Sequence, residues 1–328
     1  MACFIDEFDR AKEALKRKAF EGWNHWVVAF SGGKDSTSVL IIALEAALEG
    51  PPLERLDIVY CDTGVEMPPV RDGAVSFLEK LRSMEKLNGL PLHFHHLRPR
   101  PEESFWVCLL GRGYPPPHRL FRWCTRRLKI LPVRRALDSI YQPGKSMTIT
   151  GVRFGESADR NYRLGYACGR GGECGHGVWF QEGKRMKIGV MAPIAYWSEC
   201  MVWDFLKVYA PALEYDVSHL GVYLGRRLRF GCWMCTVVKE DKALEAIASQ
   251  PQWAHLKPLL SYRHFVKEVA SNPSNRLPRG DGRPGRLKLE VRRALFEKLK
   301  ELEAEVSIPL ISSEEEEALK ELWAQEVK

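Results

Sequence analysis

The stretch Val27–Leu40 restricts the possible folds more than any other part of the chain. It begins with four apolar residues, continues as Ser31-Gly32-Gly33-Lys34-Asp35-Ser36 and ends in apolar residues at helical spacing. The apolar, β-branched start predicts a buried parallel strand, the glycines allow a tight turn, and the spacing predicts a helix over 36–48. Such a turn directs backbone N–H groups and a helix dipole at one point, which suits phosphate.

This loop differs from two common phosphate-binding motifs. Val28 and Asp35 stand where a Walker loop needs Gly and Ser or Thr, and no Gly-x-Gly-x-x-Gly is present. The string instead resembles the PP-loop of the adenine nucleotide α-hydrolase superfamily, whose members bind ATP or a related adenylate and usually cleave between the α- and β-phosphates. The resemblance implies that residues 31–36 bind ATP, and we expect Asp35 to help place Mg²⁺.

Further strands are predicted at 56–61, 92–96 and 147–151, with helices between them. This alternation predicts an α/β fold with a doubly wound, mostly parallel sheet, whose ligands lie beyond the strand carboxyl ends. Asp62, Thr63 and Gly64 follow one such end and are expected to contact the nucleotide; the alternative is a turn that caps the next helix. Arg153 leaves another strand and could clamp phosphate or sulfate.

The segment 98–135 is strongly basic, with ten Lys or Arg against two Glu. Spacing predicts a helix over 125–140 that Pro132 kinks or restarts. We expect Arg126 and its neighbours to bind an anion, although a basic helix face is more commonly only solvated.

Cysteine spacing indicates a second chemical site. Cys232 and Cys235 form a Cys-x-x-Cys pair that points two thiols at one atom, and Cys124, Cys168 and Cys174 could complete a metal site. Thiolates without clustered histidines favour zinc or an iron–sulfur cluster. A redox pair or an inert buried pair remains open. Four other cysteines are interpreted as core or incidental: Cys3, Cys61, Cys108 and Cys200.

Several segments resemble the PAPS reductase family in order: residues 31–36, 62–68, 123–129, 151–157 and 193–203. Within the family, residues 229–238 look most like the DndC-type sulfurtransferases of DNA phosphorothioation. The match covers about residues 25–240. It implies a Rossmann-like fold, ATP pyrophosphatase activity and a [4Fe–4S] cluster.

The expected domains are 1–240, with a cysteine-bearing insertion near 165–178, and 241–328, a helical appendage with a basic loop at 272–286. That loop could embrace a nucleic acid backbone or be an ordinary linker. A net charge of +7 favours anionic partners. The chain shows neither a signal-like start nor an 18-residue apolar run, so we expect a cytoplasmic protein without membrane contact.

The expected activity is adenylation of a substrate followed by sulfur transfer. Lys34, Arg126 and Arg153 would stabilise charge at the α-phosphate. Sulfur would be carried on a cysteine such as Cys124 or on a cluster, supplied by a donor such as a cysteine desulfurase and passed to an acceptor that could be a nucleic acid. One alternative is a phosphoadenylylsulfate or adenylylsulfate reductase that releases sulfite. The other is a zinc-stabilised nucleotide- or nucleic-acid-binding module without catalysis.

Overall fold

The computed structural model describes residues 2–155, 165, 173–175, 178–183, 187–223, 228 and 230–327. Most of the predicted insertion at 165–178, with Cys168, lies outside these residues. Cys174 is described by its backbone alone, and the side chain of Cys3 is outside the described part as well.

A mostly parallel β-sheet organises the chain. Across the described residues it has seven strands in the order β3-β2-β1-β4-β7-β6-β5. β1 pairs in parallel with β2 and β4, and β4 with β7, whereas β6 is antiparallel to β7 and β5. The strands are β1 (His25–Phe30), β2 (Arg55–Cys61), β3 (Leu92–Leu97), β4 (Ser146–Ile149), β5 (Glu173–Gly175), β6 (Val178–Gly183) and β7 (Ile188–Ala192). The predicted α/β, Rossmann-like fold is confirmed.

Helices connect and cover the strands. The α-helices are α1 (Ala2–Phe20), α2 (Lys34–Glu49), α3 (Pro68–Arg82), α4 (Leu131–Ile140), α5 (Glu199–Asp204), α6 (Ala210–Ala212), α7 (Lys242–Ala248), α8 (Lys257–Ser271), α9 (Leu289–Val306) and α10 (Ser313–Val327). Short 3₁₀ turns lie at Glu85–Leu87, Pro101–Glu103, Ser218–Tyr223, Pro251–Leu256 and Pro273–Asn275. No helix in the described part of the chain is long and apolar enough to cross a membrane.

Within the described ranges, three helical segments are wound as π-helices: Val107–Gly111, Thr125–Ile130 and Phe205–Tyr209. The helix predicted over 125–140 therefore begins with π geometry and continues as α4. Pro132, the second residue of α4, has no N–H to donate to the preceding turn, which is consistent with the wider turn before it.

A polar network with a buried aspartate at its centre joins four neighbouring strands of the sheet. Asp57 accepts hydrogen bonds from Arg55 and pairs with His25 Nε2 at 2.7 Å and His95 Nε2 at 2.6 Å. His25 Nδ1 lies 2.8 Å from Ser146 Oγ. Burial alone would raise the pKa of Asp57, but these hydrogen bonds outweigh it and hold that pKa well below its usual range. The network ties β3, β2, β1 and β4 together.

The described chain forms two compact units. The first comprises residues 1–61, 69–96 and 136–221, and the second comprises 62–68, 97–135 and 222–328. These units divide the chain differently from the predicted domains 1–240 and 241–328. In the second unit, Trp106 Nε1 donates to Leu310 O at 2.6 Å and Trp323 Nε1 to Leu110 O at 2.8 Å. These bonds join the C-terminal helices to an internal segment of the same unit.

The predicted basic loop at 272–286 contains a two-stranded antiparallel ribbon. Its strands are β8 (Arg276–Pro278) and β9 (Pro284–Leu287). Arg276 donates to the carbonyls of Pro284 and Gly285 and so holds the ribbon together. The other ribbon arginines, Arg279, Arg283 and Arg286, are exposed.

Candidate nucleotide site and thiol cluster

The loop of residues 31–36, here called the glycine loop, lies in the first unit and connects β1 to α2. Gly32 has a φ of +73°, which favours glycine, and Gly33 is the N-cap of α2 without a side-chain hydrogen bond. Ser36 Oγ donates to Gly33 O at 2.9 Å and accepts from Ser31 N at 3.1 Å. The predicted strand–turn–helix is present, and no side chain caps the start of α2.

Two glycines allow unusually close packing around this loop. A Cβ on Gly32 would lie 2.6 Å from Ala74 Cβ. A Cβ on Gly151, just past β4, would lie 2.8 Å from the carbonyl carbon and oxygen of Asp35 and 2.9 Å from Ser36 N. The backbone beyond β4 therefore supports the glycine loop directly. The sequence analysis missed this role of Gly151.

The charged residues predicted for the loop meet in one cluster. Asp35 accepts from Lys34 Nζ at 2.9 Å and from Arg153 Nε at 2.5 Å. Arg153 is buried and also donates to Trp197 O at 3.1 Å, while Glu199 Oε1 lies 3.8 Å from Lys34 Nζ. The structure thus brings Lys34, Asp35 and Arg153 together and adds Glu199, which the sequence analysis did not select.

His219 contacts the first turn of α2 from another part of the first unit. Its Nε2 lies 3.3 Å from Thr37 Oγ1, and its ring lies 4.6 Å from that of Phe77. Nδ1 is buried with no hydrogen-bond partner among the described residues. Burial lowers the pKa of His219 to about 4; Lys80 adds to the decrease and Asp216 opposes it. The ring is therefore neutral near pH 7.

The segment after β2 belongs to the second unit. Asp62 is fully buried, accepts from Gly64 N at 2.9 Å, and accepts from Arg98 Nε and Nη2 at 3.0 and 2.8 Å. Asp62 therefore forms a turn with Gly64 and an ion pair with Arg98. Contact of Asp62, Thr63 and Gly64 with a nucleotide stays a prediction.

The Cys-x-x-Cys pair forms the expected tight turn, also in the second unit. Cys235 N donates to Cys232 O at 2.9 Å, and Trp233 N donates to Val65 O at 3.0 Å. Cys232 Sγ lies 3.5 Å from Thr63 Oγ1. The sequence signal for this turn was the two-residue spacing itself.

Two thiols of this unit have raised pKa values, and a third lies close enough to affect one of them. Burial raises the pKa of Cys232 to about 11, and Glu66 and Cys124 add to the increase. Burial likewise raises the pKa of Cys124, and Cys235 adds to it. We call Cys124, Cys232 and Cys235 the thiol cluster. Without a bound cation, Cys124 and Cys232 are protonated near pH 7.

The sulfur donors of the thiol cluster suit a metal that binds thiolates, but the positions of its three cysteines do not by themselves form a metal site. Its soft sulfur donors match zinc and iron–sulfur centres. However, within the described side chains no group of three or more His, Cys, Asp or Glu is placed to hold a metal ion. Cys168 and the Cys174 side chain lie outside that description. Cys108 is buried, Cys61 is half-buried and Cys200 is exposed, and none of the three forms a disulfide with another described cysteine.

Arg126 lies in the π-helical segment 125–130 of the second unit and is exposed. Its neighbour Arg127 donates to Tyr114 Oη at 3.1 Å. The anion-binding role expected for Arg126 stays a prediction.

These features define an α/β protein with an uncapped glycine loop after its first strand. The phosphoadenosine phosphosulfate reductase domain matches residues 25–238, well over half of the chain. The chain therefore belongs to the phosphoadenosine phosphosulfate reductase family. Members of this family are enzymes, and the membership supports a related nucleotide–sulfur chemistry.

Two individual proteins are similar to this chain. An uncharacterized protein of Methanocaldococcus jannaschii is 26% identical over 237 residues, which cover 72% of this chain and 41% of that protein. The chain thus spans about two fifths of the length of this curated relative. The crystal structure of phosphoadenylyl-sulfate reductase from Candida auris, a phosphate complex, matches with a TM-score of 0.42 and 17% identity, covering 69% of this chain and 90% of that one.

Proposed function

We propose that the chain is an ATP pyrophosphatase that adenylates a substrate and then transfers sulfur to it. The observation that carries the proposal is the glycine loop: a strand–turn–helix without a side-chain cap at Gly33, with Lys34 and Arg153 beside it. Backbone N–H groups at such a helix start bind phosphate, and two cations can offset charge on a nucleotide. Family membership supports nucleotide–sulfur chemistry in general.

The cluster of Lys34, Asp35 and Arg153 suggests how the chain's own groups act. Asp35 pairs with both cations, so it holds them at the loop before a nucleotide binds. We propose that the ATP phosphates take over contacts to Lys34 and that Arg153 remains held by Trp197 O. As a substrate oxygen attacks the α-phosphate and pyrophosphate leaves, Lys34 would stabilise the developing negative charge. Mg²⁺, bound with help from Asp35, would neutralise part of the phosphate charge.

We propose that the thiol cluster of the second unit takes part in sulfur handling. Cys124, Cys232 and Cys235 would hold a [4Fe–4S] cluster, with zinc as the alternative, and a further ligand would come from Cys174 or Cys168, whose side chains lie outside the described part of the chain. A cluster of this kind would supply sulfur binding and electron transfer. The thiol cluster supports this assignment because buried thiols become thiolates when a cation binds them.

A nucleic acid acceptor would agree with the DndC-type resemblance. The exposed Arg279, Arg283 and Arg286 of the β8–β9 ribbon support it because arginines bind phosphate backbones. Duplex DNA should bind with an affinity that falls steeply with salt, and a triple Arg→Gln variant should flatten that dependence. Salt-independent binding, or an unchanged slope, would remove the ribbon from the acceptor site.

A reductase is the second candidate, because the matching domain carries that description. The deciding experiment supplies anaerobically purified protein and a dithiol reductant with either ATP or adenylylsulfate, and it measures pyrophosphate and sulfite. ATP-dependent pyrophosphate release that Lys34→Ala abolishes supports the proposal. Sulfite release from adenylylsulfate without ATP supports the reductase instead. Zinc-loaded, colourless protein that gives neither product would indicate a binding module.

A further inference from the structure

Arg263 of α8 is a fully buried cation that hydrogen-bonds to the backbone of the Cys-x-x-Cys turn. Its side chain is 0% exposed. Nε donates to Cys235 O at 2.9 Å and Nη2 donates to Val238 O at 2.7 Å. The third nitrogen, Nη1, is buried without a hydrogen-bond partner among the described residues. The guanidinium therefore fixes the backbone of the turn and retains unused donors.

This cation has no carboxylate partner in the described part of the chain, unlike the two other buried arginines. Arg153 pairs with Asp35 at 2.5 Å, and Arg292 pairs with Glu326 at 2.5 Å. The hydrogen-bond acceptors of Arg263 among the described residues are carbonyl oxygens, which carry no net charge. Since an isolated buried charge is strongly unfavourable, such groups are normally paired with an opposite charge.

The turn that Arg263 holds carries two cysteine sulfurs, and a cysteine sulfur becomes an anion when it loses its proton or binds a metal cation. Trp233 of this turn is buried together with Trp106 and Tyr262: the ring centroids of Trp233 and Tyr262 are 6.2 Å apart, and those of Trp106 and Trp233 are 5.8 Å apart. Tyr262 itself does not supply an anion, because its hydroxyl donates to Leu295 O at 2.9 Å. In such surroundings a cation and an anion interact more strongly than in water.

We propose that Arg263 is the buried counter-charge for an anionic sulfur group at the Cys232–Cys235 turn, either a sulfur anion on a cysteine or thiolates bound to a metal. The inference deepens the proposed sulfur chemistry. Arg263 acts as a positioning residue: it holds the carbonyls of Cys235 and Val238 in place and offsets the negative charge that the turn carries in its working state.

A matched pair of variants tests the charge without metal, nucleotide or turnover. Cys235→Asp places a permanent carboxylate on the turn, and Cys235→Asn is its neutral isostere. In the wild-type background the Asp variant should have a Tm about 2–4 °C above the Asn variant. With Arg263→Gln this difference should vanish or change sign, whereas with Arg263→Lys, which keeps the charge, it should persist. Equal Tm values for the Asp and Asn variants, or a lower one for Asp, would overturn the inference.

Arg292→Gln is the control, since it removes a buried arginine that has its own carboxylate. It should lower Tm but leave the Asp–Asn difference at position 235 unchanged. If it removed the difference as Arg263→Gln does, the effect would be structural and the inference would fail. The Asp–Asn comparison in the wild-type background also decides the question if Arg263→Gln does not fold.

Cobalt(II) titration distinguishes metal-bound thiolates from a sulfur anion on a cysteine. It also distinguishes failure of the counter-charge inference from failure of the proposed function. If thiolates bind metal, wild-type protein should show a sulfur-to-cobalt absorption band, and Arg263→Gln should bind about 10–100-fold more weakly, with Arg263→Lys closer to wild type. Wild-type cobalt affinity in Arg263→Gln would overturn the counter-charge role. No cobalt binding by wild type, with the Asp–Asn difference intact, would support a sulfur anion on cysteine and remove the metal from the proposed function.

Discussion

Gly151→Ala tests whether the backbone beyond β4 positions the glycine loop. The new Cβ would lie 2.8 Å from the Asp35 carbonyl and 2.9 Å from Ser36 N, whereas ordinary contacts begin at 3.4 Å. Because the neighbours are backbone atoms, no side chain can swing away. The loop or the strand end must shift by roughly 0.5 Å, and overpacking of this kind typically destabilises a protein by about 1–3 kcal/mol.

The same shift should reduce activity. A misplacement of about 1 Å can lower a rate on the order of 10²-fold, so we expect ATP-dependent pyrophosphate release to fall about tenfold. Thermal unfolding and pyrophosphate release are the two measurements. Gly89→Ala is the matched control, because its Cβ would meet nothing within 4 Å and its φ is not left-handed. That control should stay within about 0.5 kcal/mol of wild type with unchanged activity.

Equal stability and turnover for Gly151→Ala and Gly89→Ala would refute the reasoning. Loss of stability in Gly151→Ala with full activity would also refute the positioning role, since the contact would then matter for folding alone. Only a joint loss in Gly151→Ala supports the role.

Three further predictions follow from single contacts. Lys34→Ala should slow pyrophosphate release on the order of 10²–10³-fold at unchanged Tm, because the site loses a preorganised cation. Wild-type rates in this variant would exclude Lys34 from the site. Folding lowers the pKa of His219 to about 4, so its neutral ring contributes stability that is complete above the unfolded-state pKa near 6.5 and is lost as the pH falls towards 4. His219→Gln should therefore flatten the dependence of Tm on pH between about 6.5 and 4. A parallel curve would contradict this. Glu326→Gln should destabilise by about 3 kcal/mol in chemical unfolding, since Arg292 is left buried without its partner; an unchanged midpoint would argue against the pair.

Local features of this fold could be predicted because short-range physics determines them. Apolar runs and periodicity placed β1, β2, β3 and α2 to within a few residues. Helix caps are equally local: the Ser198 hydroxyl accepts from Met201 N at 3.2 Å, and Ser312 exchanges hydrogen bonds with Glu315. The Cys-x-x-Cys turn followed from spacing.

Some residues could be selected from the sequence but their partners could not. Arg153 was chosen because it leaves a strand, yet its pairing with Asp35, 118 positions away, depends on β1 and β4 being neighbours. Asp62 was selected for a nucleotide contact, which stays a prediction, whereas its turn with Gly64 and its ion pair with Arg98 appear only in the structure. The partners of such a residue depend on which side chains the fold places nearby.

The sequence by itself determined the alternation of strands and helices, the glycine loop and the spacing of the cysteines, because each follows from interactions within a few residues. Only the tertiary structure decided that Gly151 backs the loop and that Arg263 lies buried behind Cys235. It also decided that the residues following β2 share a compact unit with the C-terminal helices. Such contacts join distant segments through sheet order and packing, which a one-dimensional pattern does not encode.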